Sequence, residues 1–371
     1  MNSDISTLLR SDLVTFAPYT PIVPLDVLAR QLGLTPEQLV KLDANENPYG
    51  PTAATRAAIA QLATSAGANE MVAIYPDPDN TVLTQTIARH IGQDPARIIC
   101  GNGSDELIDV LLRATITPGS AVIDASPTFG MYAYGTNLCQ GQVIDVPRDV
   151  QFNLDIDAIR AAVHTHNAKI IFLAAPNNPT GNPLTRAELV ALLELPLIVV
   201  ADEAYAEFSG ITFLDAIDSH PNLVVLRTFS KWAGLAGLRV GYGVMHETLA
   251  THIRKLKQPY TVNVAAQVAA TAAINDFASM QPIIHKIIHD RDALVGELTR
   301  MGCAVSPSVA NYVLVRTPVP AEHVRNVLRQ HGVLIRYFPK PRLRDTIRIS
   351  VGTPSQHERL LDVLTTAFRS A

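Results

Sequence analysis

The chain has 371 residues, 47% of them hydrophobic and 17% charged, with a formal net charge of -4. That length is long for one hydrophobic core and predicts a large domain with a satellite. The charge leaves no basic field to draw nucleic acid or an anionic membrane, and no apolar stretch is long enough to span a bilayer.

Residues 1–40 read as an N-terminal arm. No charged segment followed by an apolar core opens it, so no signal peptide is expected and the chain reads as cytoplasmic. "APYTPIVP" (17–24) has too many prolines for a helix or a central strand, and "DVLARQLG" (26–33) predicts a short helix closing at Gly33. From about residue 96 a rhythm sets in. Short β-branched runs at 97–100, 121–124, 142–146, 169–175, 197–202, 223–227 and 240–245 alternate with helical patterns such as "DELIDVLLRA" (105–114) and "TRAELVALLEL" (185–195). This alternation predicts an α/β large domain with a mostly parallel seven-stranded sheet, covered by helices on both faces.

A helical region from roughly 262 to 301, ending at Gly302, predicts the link to a smaller α+β domain. That domain has strands at "NYVLVR" (311–316) and "TIRISV" (346–351) and helices at 321–332 and 355–368. The expected division is an arm (1–40), a large domain (41–275) and a small C-terminal domain (276–371). Cys100, Cys139 and Cys303 are widely spaced and odd in number. They predict buried free thiols in a reducing compartment, with no metal site.

Ligands of an open parallel sheet bind beyond the carboxyl ends of its strands, and the unusual residues of this chain collect there. "GNGSDEL" (101–107) puts Gly103, Ser104 and Asp105 at a helix start. Backbone N–H groups there can hold phosphate, although Ser and Asp are equally ordinary N-caps. It is no dinucleotide fingerprint, because Glu106 stands where the last glycine belongs. "PNNPTG" (176–181) reads as a tight turn, whose prolines would also fix an amide at the sheet edge. Asp202 ends an apolar run where an unpaired carboxylate is costly, so it caps the turn or faces a cation. Tyr205 shares that cleft.

The next run leads into "TFSKWAGLAGLRVGYG" (228–243). A lone lysine at that strand mouth would pack its stem and let its ammonium reach water. Lys231 is not alone. The rim supplies a phosphate cradle, an amide, a carboxylate, a phenol, a lysine and the guanidinium of Arg239, and pyridoxal 5'-phosphate needs that set. Its aldehyde forms a Schiff base with a lysine whose amine must be neutral to attack. Its ring nitrogen needs an acidic partner to act as an electron sink, and its phosphate wants helix amides, hydroxyls and an arginine. Lys231 is therefore the expected Schiff-base residue.

Further motifs run through the chain in order: "APYTP", "KLDANENPYGP" (41–51), "YPDP" (75–78), "SPTFGMY" (126–132), "ADEAYAEF", "GVLIRYF" (332–338) and "IRISVGTP" (347–354). With the motifs above, they make the sequence resemble the fold-type-I pyridoxal-phosphate-dependent aminotransferases, and within them the histidinol-phosphate aminotransferases, over nearly its full length. The resemblance implies that Asp202 pairs with the ring nitrogen, while Asn178 and Tyr205 hydrogen-bond the ring's phenolic oxygen. Phe129, where many relatives carry Tyr, would stack on the ring. Gly103, the amides of Ser104 and Asp105, the hydroxyls of Thr228 and Ser230, and Arg239 would hold the phosphate. Tyr75 would reach the phosphate in the other subunit, making a homodimer with shared active sites; beside it, Ile74 replaces a residue that is commonly polar or basic. Arg348 would pair with the substrate carboxylate, Tyr19 and Arg336 would meet the distal phosphate of histidinol phosphate, and Asn45 would join them in binding substrate.

The implied reaction is ping-pong. An amino group passes from histidinol phosphate to 2-oxoglutarate, giving imidazole acetol phosphate and glutamate, a step of histidine biosynthesis. Lys231 would move the proton between substrate and cofactor carbons. An aromatic amino donor and phosphothreonine decarboxylation are rival chemistries on the same scaffold. A non-catalytic pyridoxal-phosphate sensor is the outside alternative, and no DNA-binding segment or basic patch is attached to support it.

Overall fold

The computed structural model describes residues 4–19, 23–64 and 68–371. Residues 17–19, 23 and 24 of the proline-rich stretch are in neither helix nor strand, and its residues 20–22 lie outside the described residues. The helix that follows runs Leu25–Leu32 and stops at Gly33, whose φ of 69° costs least without a Cβ.

Strand β1 (Val40–Leu42) comes next. The seven apolar runs then form β2 (Ile98–Gly101), β3 (Ala121–Asp124), β4 (Gln142–Asp145), β5 (Ile170–Ala174), β6 (Ile198–Asp202), β7 (Leu223–Thr228) and β8 (Gly241–Met245). They make one sheet in the order β2-β8-β7-β6-β5-β3-β4. Only β8 runs antiparallel to its neighbours. Alternate residues of β6 face opposite cores: Val199 and Ala201 join Leu189, Phe213 and Ala270, whereas Val200 joins Leu107, Leu111 and Ile253. Two covered faces are why the inner strands β5 and β6 are apolar at nearly every position rather than at every second residue, whereas the edge strand β4 is not fully covered.

The helical region beyond residue 262 is two helices, Val264–Asn275 and Phe277–Arg300, broken at Asp276. The first packs on helices Ala53–Thr64 and Thr81–Ile91 of the large layer. The second reaches β9 (Ala304–Val305), β10 (Tyr312–Arg316) and the last helix, Pro354–Arg369. With β11 (Val333–Tyr337) and β12 (Thr346–Ser350), these strands form a second sheet in the order β1-β11-β12-β10-β9.

The residues at the expected start of the large domain pair with the small sheet. Val40, Lys41 and Leu42 pair in parallel with Val333, Leu334 and Ile335, and Leu42 is buried against Ile347, Ile349 and Leu364. Three residues are too short for a periodic signal, and only the free edge of β11 makes them a strand. Cys100 and Cys303 are buried, with thiols pushed up to about 11 by burial, while Cys139 is only partly covered. Among the described residues no helix is long and apolar enough to cross a membrane.

Candidate active site

The carboxyl ends of the parallel strands and the small sheet enclose a cleft of about 970 Å³. Residues at or after the ends of β2, β3, β4, β5, β6 and β7 line it. Because β8 runs the other way, its entry rather than its exit lies at this rim. That is how Arg239, two residues before β8, joins residues that follow the other strands. Register fixes the spacing: Gly241 lies between Gly101 and Thr228, and Asp202 lies between Ala174 and Leu226.

One end of the cleft is built for an anion. Helix Ser104–Thr115 starts after Gly103, and no side chain caps its first N–H groups. Ser104 is the first helical residue, not the cap. Arg239 donates from Nη2 to Asp105 Oδ2 at 2.7 Å, and Thr228 Oγ1 donates to Ser230 Oγ at 3.0 Å. No side chain fits in the middle of this group. A Cβ on Gly103 (φ 76°) would lie 2.6 Å from Arg239 Nη2, and one on Gly241 would lie 2.5 Å from the Ser104 nitrogen. Open helix amides, two hydroxyls and a guanidinium around a space kept clear of side chains fit a phosphate.

Deeper in, the amine of Lys231 is turned inward. Nζ donates to the Ala44 carbonyl at 3.0 Å, and burial first, then the positive charge of Arg348, pulls its pKa down to about 8. Asp202 is buried, and desolvation is the main reason its carboxyl rises to about 6. Its Oδ1 accepts the Ala204 N–H at 3.3 Å, the turn cap, and the carboxylate lines the cleft. Its Oδ2 accepts from the Tyr132 hydroxyl at 2.7 Å. Tyr132 escaped the sequence reading, although it ends the "SPTFGMY" motif. It stacks on Phe172 at 5.0 Å and meets Phe129 edge-on at 5.4 Å. Asn45 Nδ2 donates to Tyr205 Oη at 2.9 Å.

The far wall is cationic. Arg336 on β11 and Arg348 on β12 are register partners. Arg348 is 6% exposed; Nη1 donates to Asn178 Oδ1 at 2.7 Å and Nη2 to the Asp43 carbonyl at 2.6 Å, while Nε is buried with no partner among the described residues. Arg348 also lines the cleft, and its guanidinium is a cation suited to a bound anion. Arg336 forms no ion pair with a carboxylate among the described residues and lies 5.7 Å from the Phe338 ring centroid. Tyr19 lines the mouth, edge-on to Tyr134 at 5.8 Å. Arg342, absent from the sequence reading, ties this wall to the large sheet by donating to the carbonyls of Ser126 and Asp149 at 3.2 and 2.5 Å.

Tyr75 lies outside the cleft. It is 79% exposed, stacks on Tyr260 at 4.8 Å, and lines a separate groove of about 650 Å³ with Met71, Ile74 and Val264.

Residues 37–364 match the model of the family described as aminotransferase class I and II. The chain is 50% identical over 369 residues to a histidinol-phosphate aminotransferase of Roseiflexus castenholzii, covering 98% of this chain and 99% of that one. It is 40% identical over 366 residues to one of Dehalococcoides mccartyi, again covering 98% and 99%. The crystal structure of histidinol-phosphate aminotransferase from Sinorhizobium meliloti in complex with pyridoxal-5'-phosphate is similar with a TM-score of 0.88 and 29% identity, covering 98% of each chain. Both the sequence match and the inward-facing lysine between an anion cradle and an arginine pair lead to one assignment: the chain belongs to the class I and II aminotransferases.

Proposed function

We propose that this chain transfers the amino group of histidinol phosphate to 2-oxoglutarate, with pyridoxal 5'-phosphate as cofactor. The observation that carries the proposal is an inward-facing lysine amine, pulled to about 8, in a cleft lined by an uncapped helix start and the buried Arg348. The relatives' names agree with it. Bound in the cleft, the cofactor supplies the electron sink that lets the amino-bearing carbon give up its proton.

The residues do the rest. The amides of Ser104 and Asp105, the hydroxyls of Thr228 and Ser230, and Arg239 hold the phosphate, and the missing Cβ of Gly103 gives it room. Phe129 would pack on the ring face. Asp202 would hold a proton on the ring nitrogen, and Asn178 and Tyr205 would donate to the ring oxygen. Lys231, whose amine lines the same cleft, would hold and move the proton at the reacting carbon. An amine with a pKa near 8 is well matched to that task near neutral pH.

Histidinol phosphate brings a phosphate and no carboxylate, whereas glutamate brings two carboxylates. One site must therefore accept either anion, and the facing guanidinium groups of Arg336 and Arg348 suit that dual use, with Tyr19 at the mouth and Asn45 beneath. We further take the working unit to be a homodimer. Tyr75, Ile74 and Met71 line an exposed, mostly apolar groove, and a second copy covering it would bring Tyr75 toward the other cleft. A cytoplasmic location follows from the same pathway and suits three unpaired thiols.

The test is a half-reaction assay followed by cofactor absorbance with histidinol phosphate, phenylalanine and phosphothreonine. Loss of the visible band with histidinol phosphate, restored by 2-oxoglutarate, is the expected outcome. Faster loss with phenylalanine would overturn the named donor, and carbon dioxide release from phosphothreonine would change the reaction class.

A further inference from the structure

We infer that Asn45 and Ser350 form a hydrogen-bond relay that directs the Tyr205 hydroxyl proton into the cleft, making Asn45 a positioning residue for the ring oxygen; this rests on the cofactor reading above. Asn45, Ser350 and Tyr205 come from three distant parts of the chain, and all are nearly inaccessible to water. The Asn45 backbone N–H donates to Ser350 Oγ at 2.8 Å, and that hydroxyl donates back to Asn45 Oδ1 at 3.0 Å. The Asn45 carbonyl accepts from Asn311 Nδ2 at 2.9 Å. What remains of the side chain is Nδ2, which donates to Tyr205 Oη at 2.9 Å.

The orientation of that amide is decided by the serine. Were it flipped, Ser350 Oγ would receive two N–H groups, and its own proton would have no acceptor among the described residues. A buried donor without a partner is costly, so the amide keeps its nitrogen toward Tyr205. A phenol both donates and accepts. With Asn45 on its accepting side, the Tyr205 proton has no acceptor within the described chain and points to where the ring oxygen would lie. Accepting one hydrogen bond also strengthens the bond a hydroxyl donates. Burial keeps Tyr205 protonated and therefore a donor. The backbone contributes too: Asn45 has a φ of 55°, a left-handed conformation that asparagine tolerates better than most residues.

The experiment is a pH titration of the visible absorbance of the pyridoxal-phosphate-loaded protein, which does not depend on turnover. Donation from Tyr205 stabilises the anionic ring oxygen and holds the midpoint low. Asn45→Gly keeps the left-handed backbone and removes the amide, and should raise the midpoint by about half a pH unit, a fraction of one hydrogen bond. Tyr205→Phe should raise it further, and the double variant should match Tyr205→Phe alone. Ser350→Ala, which touches neither tyrosine nor ring, should move the midpoint in the same direction by freeing the amide to turn. It also serves if Asn45→Gly fails to fold. An unmoved midpoint in Asn45→Gly or Ser350→Ala, or shifts that add in the double variant, would end the relay while leaving the cofactor reading intact. A protein that takes up no cofactor would remove both.

Discussion

Asp202→Asn separates a catalytic carboxylate from a turn cap, and its effect can be worked out before any substrate is added. Asp202 is 4% exposed, and its carboxyl is pushed from the ordinary 3.8 to about 6, chiefly by burial. An acid with a higher pKa folded than unfolded binds more protons in the folded state between the two values. Stability therefore falls as pH rises through that window. Two units at 1.36 kcal/mol each amount to about 3 kcal/mol once pH passes 7. Asparagine has the same shape and carries no charge: its oxygen can keep the Ala204 N–H, while its amide N–H faces Tyr132, whose hydroxyl oxygen can accept it. The cofactor-free variant should thus melt higher than the unmutated protein at pH 8. With an unfolding entropy of about 2.1 cal/mol/K per residue over the whole chain, the gain is about 4 °C. At pH 5, midway through the window, the gap should be about half that, and near pH 4 it should close.

Saturating pyridoxal phosphate should reverse the order, because the protonated ring nitrogen compensates a carboxylate and not an amide. The assay is thermal denaturation at several pH values with and without cofactor, with turnover measured on the same preparations. A variant inactive yet more stable in its cofactor-free form is the expected result. If the cofactor-free variant instead melts lower at every pH, Asp202 acts through the Ala204 N–H it accepts, and the electrostatic argument fails.

Lys231, with its amine pulled to about 8, should react with a limiting amine-directed reagent at a rate that levels off above pH 8 in the cofactor-free protein. Exposed lysines should go on climbing toward about 10.4; a Lys231 profile like theirs would contradict the buried amine. In the loaded protein borohydride should label Lys231, and a label on Lys255 or Lys257 would reassign the residue. Arg336→Ala should cut kcat/KM for histidinol phosphate by about ten- to a hundredfold, the worth of one charge-assisted hydrogen bond. An aromatic donor should lose much less, and equal losses would show that Arg336 only supports the wall. Tyr132→Phe leaves Asp202 Oδ2 without its 2.7 Å donor and should weaken cofactor binding about tenfold by equilibrium dialysis, whereas an unchanged Kd would make that bond dispensable. Gly241→Ala places a Cβ 2.5 Å from the Ser104 nitrogen and should abolish retention of pyridoxal phosphate on gel filtration. Full retention would show that the phosphate sits elsewhere.

Much of this molecule is legible from local pattern. A strand covered on both faces is apolar at nearly every position, so the inner runs of the large sheet announce themselves, and the half-covered edge strand β4 follows from the rhythm. Helix starts are equally local: Thr185 and Glu188 form a capping box, and Gly33 stops the helix before it. The chemistry at strand ends is visible for the same reason, since Asp202 and Lys231 interrupt apolar surroundings that would otherwise reject them. Sequence alone therefore determined the large sheet, the cleft's location and the residue types in it. It did not show that β1 crosses into the small sheet, that β8 runs backward, or that Arg342 ties the two layers together. Nor could it link Tyr132 with Asp202 across 70 residues, or Asn45 with Ser350 across 305. Periodicity reports only whether a side chain faces water, because exclusion from water acts on each residue where it stands. Which hydroxyl meets which carboxylate depends on register, strand direction and the mutual satisfaction of buried polar groups, and these exist only once the sheets have packed.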